Sequence, residues 1–132
     1  MEYKIGEKTC VKKTITEPDI MKFAEVSGDY NPVHIDQKIA EKSVFGNRIA
    51  HGFLVGSIIS NAIGMELPGP GTIYMEQDMK FLKPVFIGDT VTAVIEVADI
   101  INEKKNILKL STIVTNQKSE KVIDGYAVVK AP

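Results

Sequence analysis

Residues 51–65 read His51-Gly52-Phe53-Leu54-Val55-Gly56-Ser57-Ile58-Ile59-Ser60-Asn61-Ala62-Ile63-Gly64-Met65, and their reading decides the fold. Apolar groups fall on every side of a 3.6-residue repeat instead of forming one stripe. No charged residue occurs from Gly52 to Met65. A helix of that character is expected to be buried all round. At 1.5 Å per residue it spans roughly 20 Å, enough for the axis of a small domain. It is too short and too glycine-punctuated to cross a bilayer comfortably. The run Pro68-Gly69-Pro70-Gly71 then ends it.

Such an axis needs a cover, and the chain on either side supplies one. Downstream, residues 72–81, 89–98, 107–115 and 121–129 are each rich in Val, Ile, Thr and aromatics, the composition of strands. The short breaks between them favour antiparallel neighbours. Upstream, residues 8–15 alternate weakly and read as a short strand. Thr16 is a cap and Pro18 fits the first turn of a helix whose apolar stripe is Ile20, Phe23, Ala24 and Val26, with Gly28 as the stop. Asp36 caps a second short helix with Ile39 and Ala40 facing inward. The sum is an α+β chain in which a twisted antiparallel sheet curls around the central helix. Open sheet edges and bare helix ends call for a partner subunit.

The 132 residues suit a single domain, 1–132, with a real core. Apolar residues make up 44% and charged residues 25%, an ordinary globular balance. A net charge of −1 gives no basis for a nucleic-acid surface or a polybasic membrane patch. Cys10 is the one cysteine, so no internal disulfide forms and a reducing cytoplasm is the default. Of the 16 basic residues, Arg48 is the only arginine.

The chemistry lies in residues 27–37, Ser-Gly-Asp-Tyr-Asn-Pro-Val-His-Ile-Asp-Gln. Gly28 permits unusual backbone angles and Pro32 fixes its own φ while pushing Asn31 away from the helical region, giving a stiff irregular loop. Asp29 and His34 set a carboxylate base and an imidazole close together there, which suits proton transfer to or from water. Asn31 adds an amide able to orient a partner. At the start of the buried helix, Gly52 lets a ligand approach unpaired N–H groups that carry partial positive charge and can stabilise an oxyanion. His51 can satisfy loop carbonyls. Ser57 and Ser60, one turn apart, are read as bonding back to the preceding turn. Asp29, His34 and His51 nominally converge, but their spacing matches no zinc pattern, so no metal is expected. No phosphate loop, dinucleotide fingerprint or nucleophile elbow is present.

The run Ser27-Gly28-Asp29-x-Asn31-Pro32-x-His34-x-Asp36 resembles the hydratase 2 motif of the MaoC-like (R)-specific enoyl-CoA hydratases. The resemblance continues through Ala50-His51-Gly52-Phe53-Leu54, Ser60, Gly71-Thr72-Ile73-Tyr74, Gln77 and Pro84-Val85-Phe86-Ile87-Gly88-Asp89. It implies a hot-dog fold, a sheet wrapped around a long central helix, in a homodimer or larger homo-oligomer. It further implies that Asp29 and His34 are the catalytic pair and that Gly52 supplies the N–H to the thioester oxygen. Asn31 and Ser60 would orient the pair and the water. The implied substrate is an acyl-CoA thioester, with no cofactor. Two alternatives stand beside this reading. A hot-dog thioesterase commonly carries an acidic residue on or beside the central helix, and none occurs here between Gly52 and Met65. A non-catalytic acyl-CoA or acyl-carrier binding module needs the pocket but not the acid–imidazole pair.

Overall fold

The computed structural model describes residues 2–132. Strand β1 (Lys8–Thr14) leads into helix α1 (Glu17–Ser27). Two short helices follow, α2 (Pro32–Ile35) and α3 (Gln37–Glu41), and then the central helix α4 (Gly52–Asn61). Strands β2 (Ile73–Phe81), β3 (Thr90–Asn102), β4 (Ile107–Thr115) and β5 (Lys121–Lys130) complete the chain. They form one five-stranded sheet in the order β1-β3-β4-β5-β2, with every neighbouring pair antiparallel.

Local signals explain the starts and stops. The Thr16 hydroxyl accepts from the Asp19 N–H at 3.3 Å and the Asp19 carboxylate accepts from the Thr16 N–H at 3.0 Å. This reciprocal box satisfies two donors that a helix start leaves bare. Gly28 closes α1 in the left-handed region, φ 79°, with its N–H on the Ala24 carbonyl, a conformation that costs glycine little. Asp36 caps α3 by accepting from the Ile39 N–H at 3.1 Å.

The sheet folds over α4 on one face. Over residues 90–97 of β3 and along all of β4 buried positions alternate with half-buried ones, the two-residue period of a strand with one face in the core. Ile95, Val97, Leu108 and Leu110 from those strands pack with Val55, Ile59 and Ile63 of the central segment. Each such side chain, once buried, contributes about 1.5–3 kcal/mol. β5 and β2 approach so closely that a Cβ on Gly125 would lie 1.8 Å from the Asp78 carbonyl oxygen, so only glycine fits that crossing.

Three expectations need correction. α4 is not buried on every side: Leu54, Val55, Ile58 and Ile59 face the core, while Gly52, Phe53, Ser57, Ser60 and Asn61 lie on an exposed face. A single five-stranded sheet covers only one side of a helix. The helix also widens after Asn61 into a π-helical turn over Ala62–Glu66, where the Leu67 N–H reaches back to the Ala62 carbonyl at 2.9 Å. Finally, the stiff loop before α3 contains a helical turn, α2, and two apolar residues expected inward, Val26 and Ile39, are solvent-exposed. Among the described residues no helix is long and apolar enough to cross a membrane.

Candidate active site

The one-turn helix α2 carries the first functional side chain. Asn31 is its N-cap, accepting from the Val33 N–H at 3.3 Å, and Pro32 occupies the first helical position, where a missing N–H costs nothing. This turn points the His34 ring inward, and His34 is buried. Its Nδ1 lies 2.8 Å from the Ile49 carbonyl oxygen. A carbonyl only accepts, so Nδ1 carries the hydrogen and the other ring nitrogen, Nε2, bears the lone pair when the ring is neutral. Burial holds the His34 pKa below the ordinary imidazole value. His51 adds to that effect, while the Ile49 bond and the nearby Asp29 oppose it.

Asp29 sits at the exposed head of the same loop. Its N–H donates to the Ser27 hydroxyl at 3.1 Å and its Oδ1 accepts from the Asn31 N–H at 3.1 Å, a side-chain-closed turn that fixes the carboxylate. A second histidine ties this loop to the central helix. His51 Nε2 donates to the Asp29 carbonyl at 2.9 Å. The His51 ring lies against His34, with centroids 4.0 Å apart, and against Phe23 at 4.8 Å. His51 Nδ1 is buried with no partner among the described residues.

The three groups converge: ligating atoms of Asp29, His34 and His51 all lie within 4.8 Å of one another. The two imidazole planes are tilted by 30° to one another. Each ring has one nitrogen engaged by a backbone carbonyl, which leaves its other nitrogen free.

Next to this cluster opens a cavity of about 660 Å³. Asp29, His34, His51 and Gly52 line one wall; Phe23, Phe53, Val55, Phe81 and Ile123 make it apolar, and Lys83 stands among the lining residues. Gly52 is the first residue of α4, whose cap, His51, offers no side-chain hydrogen bond to the helix start. The first intrahelical acceptor, the His51 carbonyl, takes the Leu54 and Val55 N–H groups at 3.1 and 3.2 Å. The Gly52 N–H has no acceptor among the described residues. A residue with an unpaired backbone donor thus lines an apolar cavity together with an acid and an imidazole. Such a site can hold a carbonyl oxygen at one end and activate water at the other.

The remaining sequence-selected residues divide. Asn31 is present in the loop but its amide oxygen is spent on the α2 cap, and it does not line the cavity. Ser60 lies on the exposed face of α4, away from the cavity lining. Ser57 bonds back to the Leu54 carbonyl as expected. Sequence reasoning gave no role to the Ile49 carbonyl, a backbone group without a sequence signature. Arg48, the only arginine, is buried and engaged inside the protein.

Comparison with known proteins agrees with this geometry. A family model described as MaoC like domain matches residues 3–121. The (R)-specific enoyl-CoA hydratase of Rhodospirillum rubrum is 44% identical over 99% of this chain and 90% of its own length. The 3-hydroxybutyryl-CoA dehydratase of Methylorubrum extorquens is 40% identical over 99% of this chain and 82% of its own. Among solved structures, the (R)-hydratase from A. caviae involved in PHA biosynthesis superimposes with a TM-score of 0.95 at 38% identity, covering 98% of each chain. The sheet around α4 is therefore the hot-dog fold that the resemblance implied, and the chain belongs to the MaoC-like domain family.

Proposed function

We infer that this protein is an (R)-specific enoyl-CoA hydratase, a hydro-lyase that reversibly adds water to a trans-2-enoyl-CoA to give the (R)-3-hydroxyacyl-CoA. Relatives named (R)-specific enoyl-CoA hydratase, at 44% identity, and 3-hydroxybutyryl-CoA dehydratase, at 40%, support the reaction in its two directions. The observation that carries the residue assignment is the juxtaposition of Asp29, the bare Nε2 of neutral His34 and the unpaired Gly52 N–H around one apolar cavity.

The mechanism follows from donor and acceptor roles. A carboxylate and a bare imidazole nitrogen both accept hydrogen bonds. A water between Asp29 and His34 gives both its hydrogens to them, which turns an oxygen lone pair toward C3 of the substrate. As the O–C3 bond forms, electron density moves through C2 onto the thioester oxygen and the proton passes to the acid–imidazole pair. The Gly52 N–H and the α4 dipole stabilise the resulting enolate oxygen, and the pair returns a proton to C2. One such donor contributes about 3 kcal/mol, and acid–base assistance roughly 3–5 kcal/mol. No cofactor is required beyond the CoA carried by the substrate, and Lys83, which lines the cavity and is ion-paired with Glu120, is a cation within the cavity wall for its phosphates.

The same reading extends to assembly and cellular role. β2 is an edge strand, and Ile73, Tyr74, Met75, Phe81 and Leu82 on or beside it are exposed; Phe81 meets Phe53 of the open α4 face edge-on, ring centroids 6.2 Å apart. An unpaired, apolar edge is a template for a second strand; we assign it to a homodimer about a two-fold axis, which would cover the open helix face. We place the enzyme in the cytoplasm. Its A. caviae relative's part in PHA biosynthesis favours supply of (R)-3-hydroxyacyl-CoA for that polymer.

The test is hydration of crotonyl-CoA, followed as loss of the conjugated enoyl absorbance, with chiral analysis of the product. Formation of (R)-3-hydroxybutyryl-CoA without release of free thiol is expected. Release of CoA would make the protein a thioesterase, and no reaction at catalytic enzyme concentrations would leave it a binding module.

A further inference from the structure

Arg48 is the one buried cation whose placement the chemistry above leaves unexplained. It is 7% exposed. Its Nε donates to the His34 carbonyl at 2.7 Å and its Nη1 to Glu17 at 3.0 Å, a carboxylate whose side chain is 61% exposed. Its Nη2 is buried with no partner among the described residues. Burying a guanidinium with incomplete matching is unfavourable compared with an apolar side chain of similar volume. Stability alone therefore gives no reason for an arginine here, in a chain whose other basic residues are all lysine.

The contacts around it do. Residues 48–49 grip residues 33–34 three times: the Ile49 N–H donates to the Val33 carbonyl at 3.3 Å, Arg48 Nε to the His34 carbonyl, and His34 Nδ1 to the Ile49 carbonyl. α2 has only four residues, too few to hold a helical turn unaided. The His34 carbonyl is one of the orphan acceptors at its end. The guanidinium supplies that acceptor and anchors the segment whose next carbonyl fixes the imidazole. Lysine, a single point of donors, cannot span the His34 carbonyl and Glu17 with a planar fork.

We propose that Arg48 is a positioning residue: it locks the backbone of α2 so that His34 is held with Nδ1 protonated and Nε2 turned to the cavity. Arg48 does not itself line the cavity. The kinetic consequence rests on the hydratase reading; the orientation of His34 does not.

The experiment compares R48K and R48M with wild type and with E17Q. Nitrogen-15 NMR of the imidazole reports which His34 nitrogen bears the proton, and crotonyl-CoA hydration gives kcat, KM and their pH dependence. Wild type and E17Q are expected to hold the Nδ1-protonated form, with kcat within two-fold of each other. R48K and R48M are expected to mix tautomers and to lose ten-fold or more in kcat with KM within two-fold. Their His34 titration should move up toward the ordinary imidazole value as water reaches the loosened ring. R48M removes the unmatched buried donors, so its melting temperature should stay within a few degrees of wild type. A folded R48K or R48M with wild-type tautomer and kcat overturns the proposal. So does a loss of activity accounted for wholly by the unfolded fraction. If wild type itself fails to hydrate crotonyl-CoA, the hydratase reading falls, while the NMR comparison still decides the role of Arg48.

Discussion

Replacing Gly52 by alanine separates the catalytic from the packing role of the helix start. Gly52 does not adopt a positive φ, so alanine fits its backbone, and the lost freedom of the unfolded chain stabilises by about 0.4–1 kcal/mol. Against this, the new Cβ would lie 2.7 Å from Cε1 and 3.0 Å from Cδ1 of Phe81. The ring must yield by roughly 0.7 Å to reach ordinary contact. Phe81 ends an edge strand and is half-exposed, so the ring can swing at an off-rotamer cost of about 0.5–1.5 kcal/mol. The two effects nearly cancel, and folding stability should change by no more than about 1 kcal/mol. Activity should not survive as well. The methyl and the displaced ring occupy the space through which a thioester oxygen reaches the Gly52 N–H. Losing that contact removes about 3 kcal/mol of transition-state stabilisation, a fall of about 10²-fold in kcat/KM. The assay pairs crotonyl-CoA hydration with calorimetric melting on the same preparation. Wild-type kcat/KM in G52A would falsify the oxyanion role, and activity falling only in step with melting would assign Gly52 to packing.

Other consequences can be measured in the same system. Asp29→Asn and His34→Ala should each lower kcat by about 10²-fold or more while circular dichroism stays native; turnover near wild type in either variant removes that residue from the chemistry. The folded-state pKa of His34 lies below its unfolded value, so the neutral ring needed for water binding persists under mildly acidic conditions. The acid limb of kcat/KM should therefore fall below about pH 6.5, the ordinary imidazole value. The sign for stability is the same: the unfolded state takes up a proton first as pH falls, so His34 destabilises the fold below that pH and has no such effect above it. An acid limb above the ordinary value would contradict the buried, neutral ring. Met75→Lys, on the exposed β2 edge, should convert a dimer to a monomer in light scattering; an unchanged mass would move the subunit contact elsewhere.

Much of the fold was written locally. The Thr16–Asp19 box, the Gly28 stop and the Asp36 cap each depend on residues within four positions of one another, and the structure keeps all three. Alternation on β3 and β4 reports one buried face because successive side chains of a strand point to opposite sides. The acid and imidazole were legible because both lie in one eleven-residue run. What exceeded the sequence was everything carried by backbone groups or by distance along the chain. The Ile49 carbonyl that sets the His34 tautomer has no side-chain signature. The Asn31 side chain caps α2, its Oδ1 accepting from the Val33 N–H, a role set by the turn that follows it.

The amino-acid order by itself determined most element types, the greasy central segment and the placing of an acid and an imidazole in one loop, because periodicity, capping and turn geometry act over a few residues. Only the tertiary structure decided which side of α4 is open, that His51 clasps the Asp29 loop, and that the single arginine is internal. Those outcomes depend on which surfaces a five-stranded sheet can cover and on hydrogen bonds between segments 14 to 31 residues apart. No local pattern encodes such pairings; they form only when the packed core has fixed where each carbonyl points.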